Sequence, residues 1–307
     1  MFVSESENLT FYPALAINVL IYICILLGGP LILLFILSLF KFKITKKSNI
    51  YLYAFSTGMF LMIGAVGFLQ ESYRISSYFL HQIRVAEKEI PGWTALIIGL
   101  GAFIGLSIVI IGRYIFVKSK KNHFHANHEE HSHSDHLISF KDIDNPKAGW
   151  LAIIMIMSHR IIDGLFLGYS VYSLLTSYTD YTVSIPLIIT FNIHILLEVV
   201  IIYYRQLQYG EKKWKAILYN FLTFLLIIPF LLIGAFTGKL IDKFGFVLPS
   251  LMAAGGAIIV FMAVFELIPE FIHVINQNAK VLYSTFALFA FAILFTIVLL
   301  SFHSHGF

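Results

Sequence analysis

Long runs of apolar residues, separated by short polar segments, make up most of this chain. A helix needs about 20 predominantly apolar residues to cross a bilayer. Eight runs approach this length, so the pattern predicts an all-α, polytopic membrane protein with eight transmembrane helices in a single domain, residues 1–307. The predicted spans are approximately residues 14–39, 50–70, 93–117, 150–172, 183–204, 214–237, 247–268 and 281–302. The connections are short except for residues 71–92 and 118–147, which are predicted loops.

Basic residues are unevenly divided between the two sets of connecting segments. The set that joins spans 1–2, 3–4, 5–6 and 7–8 carries 14 Lys and Arg residues, whereas the other set carries five. Basic loops lie preferentially in the cytoplasm. We therefore expect residues 118–147 to be cytoplasmic and both termini to be extracellular or luminal.

The composition supports this class of protein and limits others. The chain is 59% hydrophobic and 12% charged, with a mean hydropathy of +0.85, values typical of a polytopic membrane protein. The net charge of +4 is small and does not indicate a nucleic-acid partner. One cysteine, Cys24, excludes an intrachain disulfide and a cysteine-based zinc site. Residues 1–10 contain no Lys or Arg, so we expect a retained first span rather than a cleaved signal peptide.

Two pairs of ionisable residues interrupt predicted spans four and five. His159 and Asp163 lie four residues apart in one span, and His194 and Glu198 lie four residues apart in the other. This spacing places both side chains of a pair on the same helix face. Ionisable groups within a membrane are costly unless they pair, line a cavity or hold an ion. Structural pairing is one explanation, but the repetition on two spans favours a four-ligand metal site.

The four side chains share a ligand chemistry. Imidazole nitrogens and carboxylate oxygens suit Zn²⁺ and other first-row divalent ions. The site contains no thiolate, and a thiolate-rich site would hold its ion too tightly for release. The residues therefore predict that the protein moves a divalent metal across a membrane.

Arg160 adds a permanent positive charge beside the first pair. A guanidinium stays protonated and does not serve as a metal ligand. We expect it to compensate charge by pairing with Asp163 or Glu198, or to stand where a second cation would bind. Snorkelling of the side chain to the membrane interface is the alternative.

A histidine-rich segment lies between spans three and four, within residues 118–147. Six His residues occur there among Glu and Asp, a composition typical of low-complexity metal-binding segments. We expect a disordered cytoplasmic loop that binds metal weakly and reversibly; a solvated linker without function is the alternative. The histidines are His123, His125, His128, His131, His133 and His136.

Two further patterns concern the ends and the packing of the spans. Glu266 and Glu270 lie near the predicted cytoplasmic end of span seven, where they either line the exit of the ion or lie at the membrane interface. Glycines recur at a spacing of four residues, which predicts close helix packing. These pairs are Gly101 and Gly105, Gly164 and Gly168, and Gly234 and Gly238.

At these residues the chain resembles the ZIP (Zrt/Irt-like) family of metal transporters. The motif His159-x-x-x-Asp163-Gly164 resembles the family's His-x-x-x-Glu-Gly, with Asp in place of Glu, and His194-x-x-x-Glu198 resembles its span-five motif. The resemblance covers nearly the whole chain and includes segments at 55–61, 229–234 and 254–270. It implies a ZIP-like eight-helix bundle that imports Zn²⁺ into the cytoplasm, with Fe²⁺ or Mn²⁺ as alternatives. The plasma membrane is the expected location, and an internal organelle membrane is the alternative.

The resemblance also implies a site for one metal ion. Many members of the family have further ligands at positions that Arg160 and Ile195 occupy here. We expect a transporter rather than an enzyme, with a divalent metal ion and membrane lipid as partners and no resident cofactor. A homodimer is a candidate assembly.

An intramembrane zinc-dependent hydrolase is the main competing class. Such an enzyme would use a third His ligand and an open position for water. No other His lies within a predicted span, because the remaining ones fall in connecting or terminal segments. The sequence therefore favours transport over hydrolysis.

Overall fold

The computed structural model describes residues 10–39, 46–121, 159–176, 185–208, 211–272 and 278–301, and these ranges contain helices and turns but no strand. Two segments, Ile63–Gln70 and Ala263–Leu267, are π-helical. The α-helices are α1 (Phe11–Leu39), α2 (Lys46–Met62), α3 (Glu71–Gln82), α4 (Ile90–Lys121), α5 (Arg160–Thr176), α6 (Ile185–Gln208), α7 (Lys213–Leu225), α8 (Ile227–Phe236), α9 (Gly238–Lys243), α10 (Val247–Met262), α11 (Ile268–Ile272) and α12 (Ala279–Ser301).

Six helical stretches within the described residues are long and apolar enough to cross a membrane, so the protein is an all-α, multi-pass membrane protein. They are Phe11–Leu39, Ile50–Gln82, Ile90–Gly112, Lys213–Phe236, Val247–Phe265 and Ala279–Ser301. The other two predicted spans correspond to α5 and α6. Helix α5 is described over 17 residues, fewer than the roughly 20 that a span requires, because residues 151–158 lie outside the described ranges. The count of eight spans therefore remains a prediction.

The predicted loop at residues 71–92 is wrong over its first half. The helical path continues from α2 through the π-helical segment into α3, which ends at Gln82. Hydropathy missed this extension because α3 is polar on one side, where Glu71 and Arg74 form an ion pair with a 2.6 Å O–N distance. The chain then reverses at Arg84, which has a φ of 60°.

Proline accounts for two interruptions of the helices. Pro229 has no N–H to donate to the carbonyl of Leu225, and α7 ends at that residue. Pro269 likewise has no N–H to donate, in this case to the carbonyl of Phe265. There the helix widens, and the N–H of Ile268 donates to the carbonyl of Ala263, five residues earlier.

Glycines bring α5 and α8 into backbone contact. A Cβ atom at Gly164 would lie 2.7 Å from the carbonyl oxygen of Ile227, and one at Gly168 would meet the carbonyl of Leu231. Gly234 lies against the backbone of α5 in the same way. The predicted small-residue packing is confirmed here, and it fixes the position of α5, which carries Asp163.

Helix α4 also packs against α10 through glycines that allow close backbone contact. Gly101 and Gly105 face the backbone carbonyls of Ser250 and Ala254 on α10, so this predicted packing is also confirmed. The opposite side of α4 exposes large apolar side chains such as Phe103, as expected of a surface that contacts lipid.

Several elements converge near the middle of the molecule. Helix α5 packs along α8 and also contacts α1 and α10. Helix α6 contacts α1, α2, α7 and α12. This arrangement brings the face of α5 that carries Asp163 next to the face of α6 that carries His194.

Candidate metal centre

The centre is formed where α5 begins. His159 immediately precedes α5, and its carbonyl accepts hydrogen bonds from the N–H groups of Ile162 and Asp163 at 2.9 and 3.0 Å. The first turn of α5 therefore fixes the position of Asp163 relative to His159. His194 and Glu198 lie one turn apart on α6, as their spacing predicts.

The structure brings three of the four predicted ligands together. Ligand atoms of His159, Asp163 and His194 all lie within 4.8 Å of one another. His159 Nε2 lies 3.2 Å from Asp163 Oδ2. Donor atoms around a tetrahedral zinc ion lie about 3.3 Å apart, given zinc–nitrogen and zinc–oxygen bonds of about 2.0–2.1 Å. The distance between His159 and Asp163 already matches this spacing, whereas the other separations, which reach at most 4.8 Å, would have to close around an ion.

Glu198, the fourth predicted ligand, lies beside this group. Its Oε2 atom is 3.7 Å from His159 Nε2. Its other oxygen, Oε1, contacts Arg160 Nε at 3.2 Å and Arg160 Nη2 at 3.1 Å. Glu198 thus presents one oxygen to the metal centre and the other to the guanidinium.

The donor atoms of the centre are buried, and their contacts with the described residues, including the 3.2 Å approach of His159 Nε2 to Asp163 Oδ2, lack hydrogen-bond geometry. His159, Asp163, His194 and Glu198 are each at most 1% exposed. The atoms without partners are His159 Nδ1 and Nε2, Asp163 Oδ1 and Oδ2, His194 Nδ1 and Nε2, and Glu198 Oε2. Buried polar atoms without partners are costly. A cation bound between these atoms would satisfy the lone pairs that the protein itself leaves unpaired.

Arg160 compensates charge within the centre and is itself 1% exposed. The sequence left open which carboxylate it pairs with, and the structure pairs it with Glu198. Its Nη1 donates to Thr223 Oγ1 at 2.6 Å, and its Cζ lies 4.5 Å from the centre of the Phe224 ring. The snorkelling alternative is therefore wrong, because the guanidinium is held inside the protein.

Three polar residues that the sequence interpretation missed continue this network. Thr223 Oγ1 donates to the carbonyl of Asn220 at 2.7 Å, and Asn220 Nδ2 donates to Gln206 Oε1 at 3.2 Å. All three side chains are buried. The available signal was the occurrence of Asn220 and Thr223 three residues apart inside an apolar run, which places them on one face of α7.

Aromatic rings cover one side of the centre. The His194 ring packs edge-on against Phe191, with 4.4 Å between ring centroids, and against Phe60 at 5.5 Å. Phe191 also contacts Phe166 and Phe68, at 5.4 and 5.5 Å. An ion that approaches past Phe166 and Phe191 would need these rings to move.

The remaining predicted site residues fall outside what the structure describes. The histidine-rich segment, from His123 to His136, lies outside the described residues. The backbones of Glu266 and Glu270 belong to the second π-helical segment and to α11, but their side chains are outside the description. Their assigned roles stay predictions.

Comparison of the chain with protein-family models and with curated proteins gives no match.

Proposed function

We propose that this protein is a ZIP-like transporter that carries a divalent metal ion, Zn²⁺ first, across the membrane through one site. The observation that supports this most strongly is the group of buried donor atoms on His159, Asp163 and His194. They come from two neighbouring helices, lie within 4.8 Å of one another and have no hydrogen-bond partner among the described residues. Glu198 is the fourth ligand in this proposal.

The ligand chemistry favours Zn²⁺ but admits other ions. Two imidazoles and two carboxylates provide a nitrogen and oxygen set that zinc, iron and manganese all accept. The absence of thiolate ligands, which would hold an ion more tightly, is compatible with the release that transport requires. We place Fe²⁺ and Mn²⁺ as alternative cargoes of the same site.

Charge supports transport over permanent storage. With both carboxylates ionised, Asp163 and Glu198 contribute two negative charges, and Arg160 contributes one positive charge. A bound divalent ion therefore leaves a positive excess in a buried region, which favours release. The uneven distribution of basic residues supports placing both termini on the extracellular or luminal side. Import toward the cytoplasm is what the resemblance to ZIP transporters implies.

The test is uptake of radiolabelled Zn²⁺ by proteoliposomes that contain the purified protein. We expect His159→Ala to reduce uptake to the level of protein-free vesicles, because no nearby group replaces the lost nitrogen. The matched control is His81→Ala, since His81 is an exposed histidine on α3 outside the centre. Competition by unlabelled Fe²⁺ and Mn²⁺ ranks the three ions.

Two outcomes would contradict the proposal. One is uptake by His159→Ala equal to that of the parent, at matched amounts of reconstituted protein. The other is zinc binding without uptake, combined with hydrolysis of an added amide or ester substrate that requires His159. The second outcome would support the intramembrane hydrolase instead.

A further inference from the structure

Thr223 holds the guanidinium of Arg160 from the side opposite Glu198. Arg160 Nη1 donates to Thr223 Oγ1 at 2.6 Å. The hydroxyl of Thr223 donates its only proton to the carbonyl of Asn220, at 2.7 Å. The oxygen therefore presents a lone pair to the guanidinium and acts only as an acceptor toward it.

Helix α7 fixes the direction in which Thr223 presents this lone pair to Arg160. Asn220 precedes Thr223 by three residues on the same helix, and its own side chain donates to the carbonyl of Ala216 and to Gln206. The ring of Phe224 covers a face of the guanidinium, 4.5 Å from Cζ. The guanidinium is thus restrained by α7 as well as by α6.

The restraint has a consequence for Glu198. Arginine and a carboxylate favour a fork in which two N–H groups contact both oxygens. Here Arg160 Nε donates to Oε1 at 3.2 Å, and Nη2 lies 3.1 Å from the same oxygen without hydrogen-bond geometry. Oε2 lies 3.7 Å from His159 Nε2 and makes no hydrogen bond among the described residues.

We propose that Thr223 is a positioning residue that confines Arg160 to one oxygen of Glu198 and so keeps the other oxygen available to the metal. The inference rests on the proposed function, because it assigns to Thr223 a part in setting the affinity of that same site. Arg160 then competes with the metal for Glu198, and Thr223 prevents Arg160 from also binding the second carboxylate oxygen.

The decisive variant is Thr223→Val, which keeps the shape of the side chain and removes the acceptor. Arg160 Nη1 then loses its acceptor, and the carboxylate that already contacts the same guanidinium is Glu198. We expect zinc affinity of the purified full-length protein to fall roughly tenfold, the size of one charge-assisted hydrogen bond. In uptake assays KM should rise while kcat changes little.

Further variants of Thr223 distinguish loss of the hydrogen-bond acceptor from loss of folding. Thr223→Ser keeps the acceptor and should retain the parent affinity. Thr223→Ala is the second variant without the acceptor, and it should change affinity in the same direction as Thr223→Val. Thermal unfolding of each variant in detergent verifies that it is folded.

A double-mutant cycle with Arg160→Gln tests the route of the effect. Arg160→Gln alone should raise zinc affinity, because it removes the competing charge. Adding Thr223→Val to Arg160→Gln should then have no further effect, because the group that Thr223 positions is gone. Arg160→Lys, which keeps the charge but lacks the fork, is a second background for the same comparison.

Titration calorimetry with Zn²⁺ provides the readout, and zinc bound by the double variant His159→Ala, Asp163→Ala is subtracted as background. An equal loss of affinity on adding Thr223→Val to the parent and to Arg160→Gln would overturn the inference, as would unchanged affinity in both Thr223→Val and Thr223→Ala. In these cases the proposed site itself would stand. If the parent binds no more zinc than the background variant, the proposed function fails, and the inference fails with it.

Discussion

His159 and His194 are the two residues whose chemistry most constrains the centre. Their ring centroids lie 6.0 Å apart, and both side chains are fully buried. The contacts of their nitrogens with the described residues lack hydrogen-bond geometry. A neutral imidazole offers a lone pair to a cation, whereas the guanidinium of Arg160 is itself a cation without an acceptor atom. The imidazoles, and not the guanidinium, are therefore the groups that can bind a metal ion.

Zinc affinity should depend on pH if these imidazoles bind the ion. A metal binds the neutral ring, so protons compete with it. The ordinary pKa of a histidine side chain is about 6.5, and protonation of one such ring between about pH 7.5 and 5.5 weakens binding roughly tenfold. We expect a loss of affinity of about this size on acidification and its recovery as the pH rises, measured by equilibrium titration with zinc.

His81→Ala is the control for this experiment, because an exposed histidine outside the centre should leave the pH profile unchanged. A zinc affinity that stays constant over the same pH range in the parent would argue against imidazole ligands.

At the scale of the helices, the position of Asp163 depends on how closely α5 approaches α8. The glycines of these two helices face backbone carbonyls across the interface, so any side chain there would push the helices apart. The metal centre begins at the first turn of α5, and a displacement of that helix would move Asp163 away from His194. Packing at the glycines and geometry at the centre are thus connected.

Gly168→Ala tests this connection. Its Cβ would meet the backbone carbonyl of Leu231, which is not free to move as a side chain is. We expect a loss of about 1–3 kcal/mol in the free energy of unfolding. This loss should appear as a lower thermal midpoint in detergent, together with weaker zinc binding.

Gly99→Ala is the matched control on α4, because a Cβ there meets nothing within 4 Å. It should leave both stability and zinc binding close to the parent values. Alanine has the higher helix propensity, so propensity alone would not lower the stability of either variant. An equal loss in both variants would therefore contradict the α5–α8 contact as its cause.

The helix scale also shows what could be predicted from the sequence. Spacing within one helix is fixed by helix geometry, so the pairs His159/Asp163 and His194/Glu198 could be identified in advance. The contact of Arg160 with Thr223 joins residues 63 positions apart and depends on how α7 is rotated against α5, which no local pattern encodes. Hydropathy likewise could not extend the second span to Gln82, because the added turns carry polar residues.

At the scale of the whole molecule, the predicted spans divide the basic residues unevenly. Fourteen Lys and Arg residues fall in the segments that join odd-numbered predicted spans to the next even-numbered one, and five fall in the other connecting segments. Lipid-facing surfaces of α4 and α12 are apolar, whereas the interior holds the ionisable cluster. A cation that crosses this protein would pass through one buried centre, which is therefore where bound zinc should be found.

Anomalous diffraction from crystals of the full-length protein with Zn²⁺, measured on both sides of the zinc absorption edge, tests this claim most directly. The account predicts one ion in the transmembrane region, with His159 and His194 nitrogens and an Asp163 oxygen each within about 2.2 Å. Crystals of His159→Ala should lack this peak. Zinc bound elsewhere in the parent at saturating concentration, with no anomalous peak between His159, Asp163 and His194, would contradict the account.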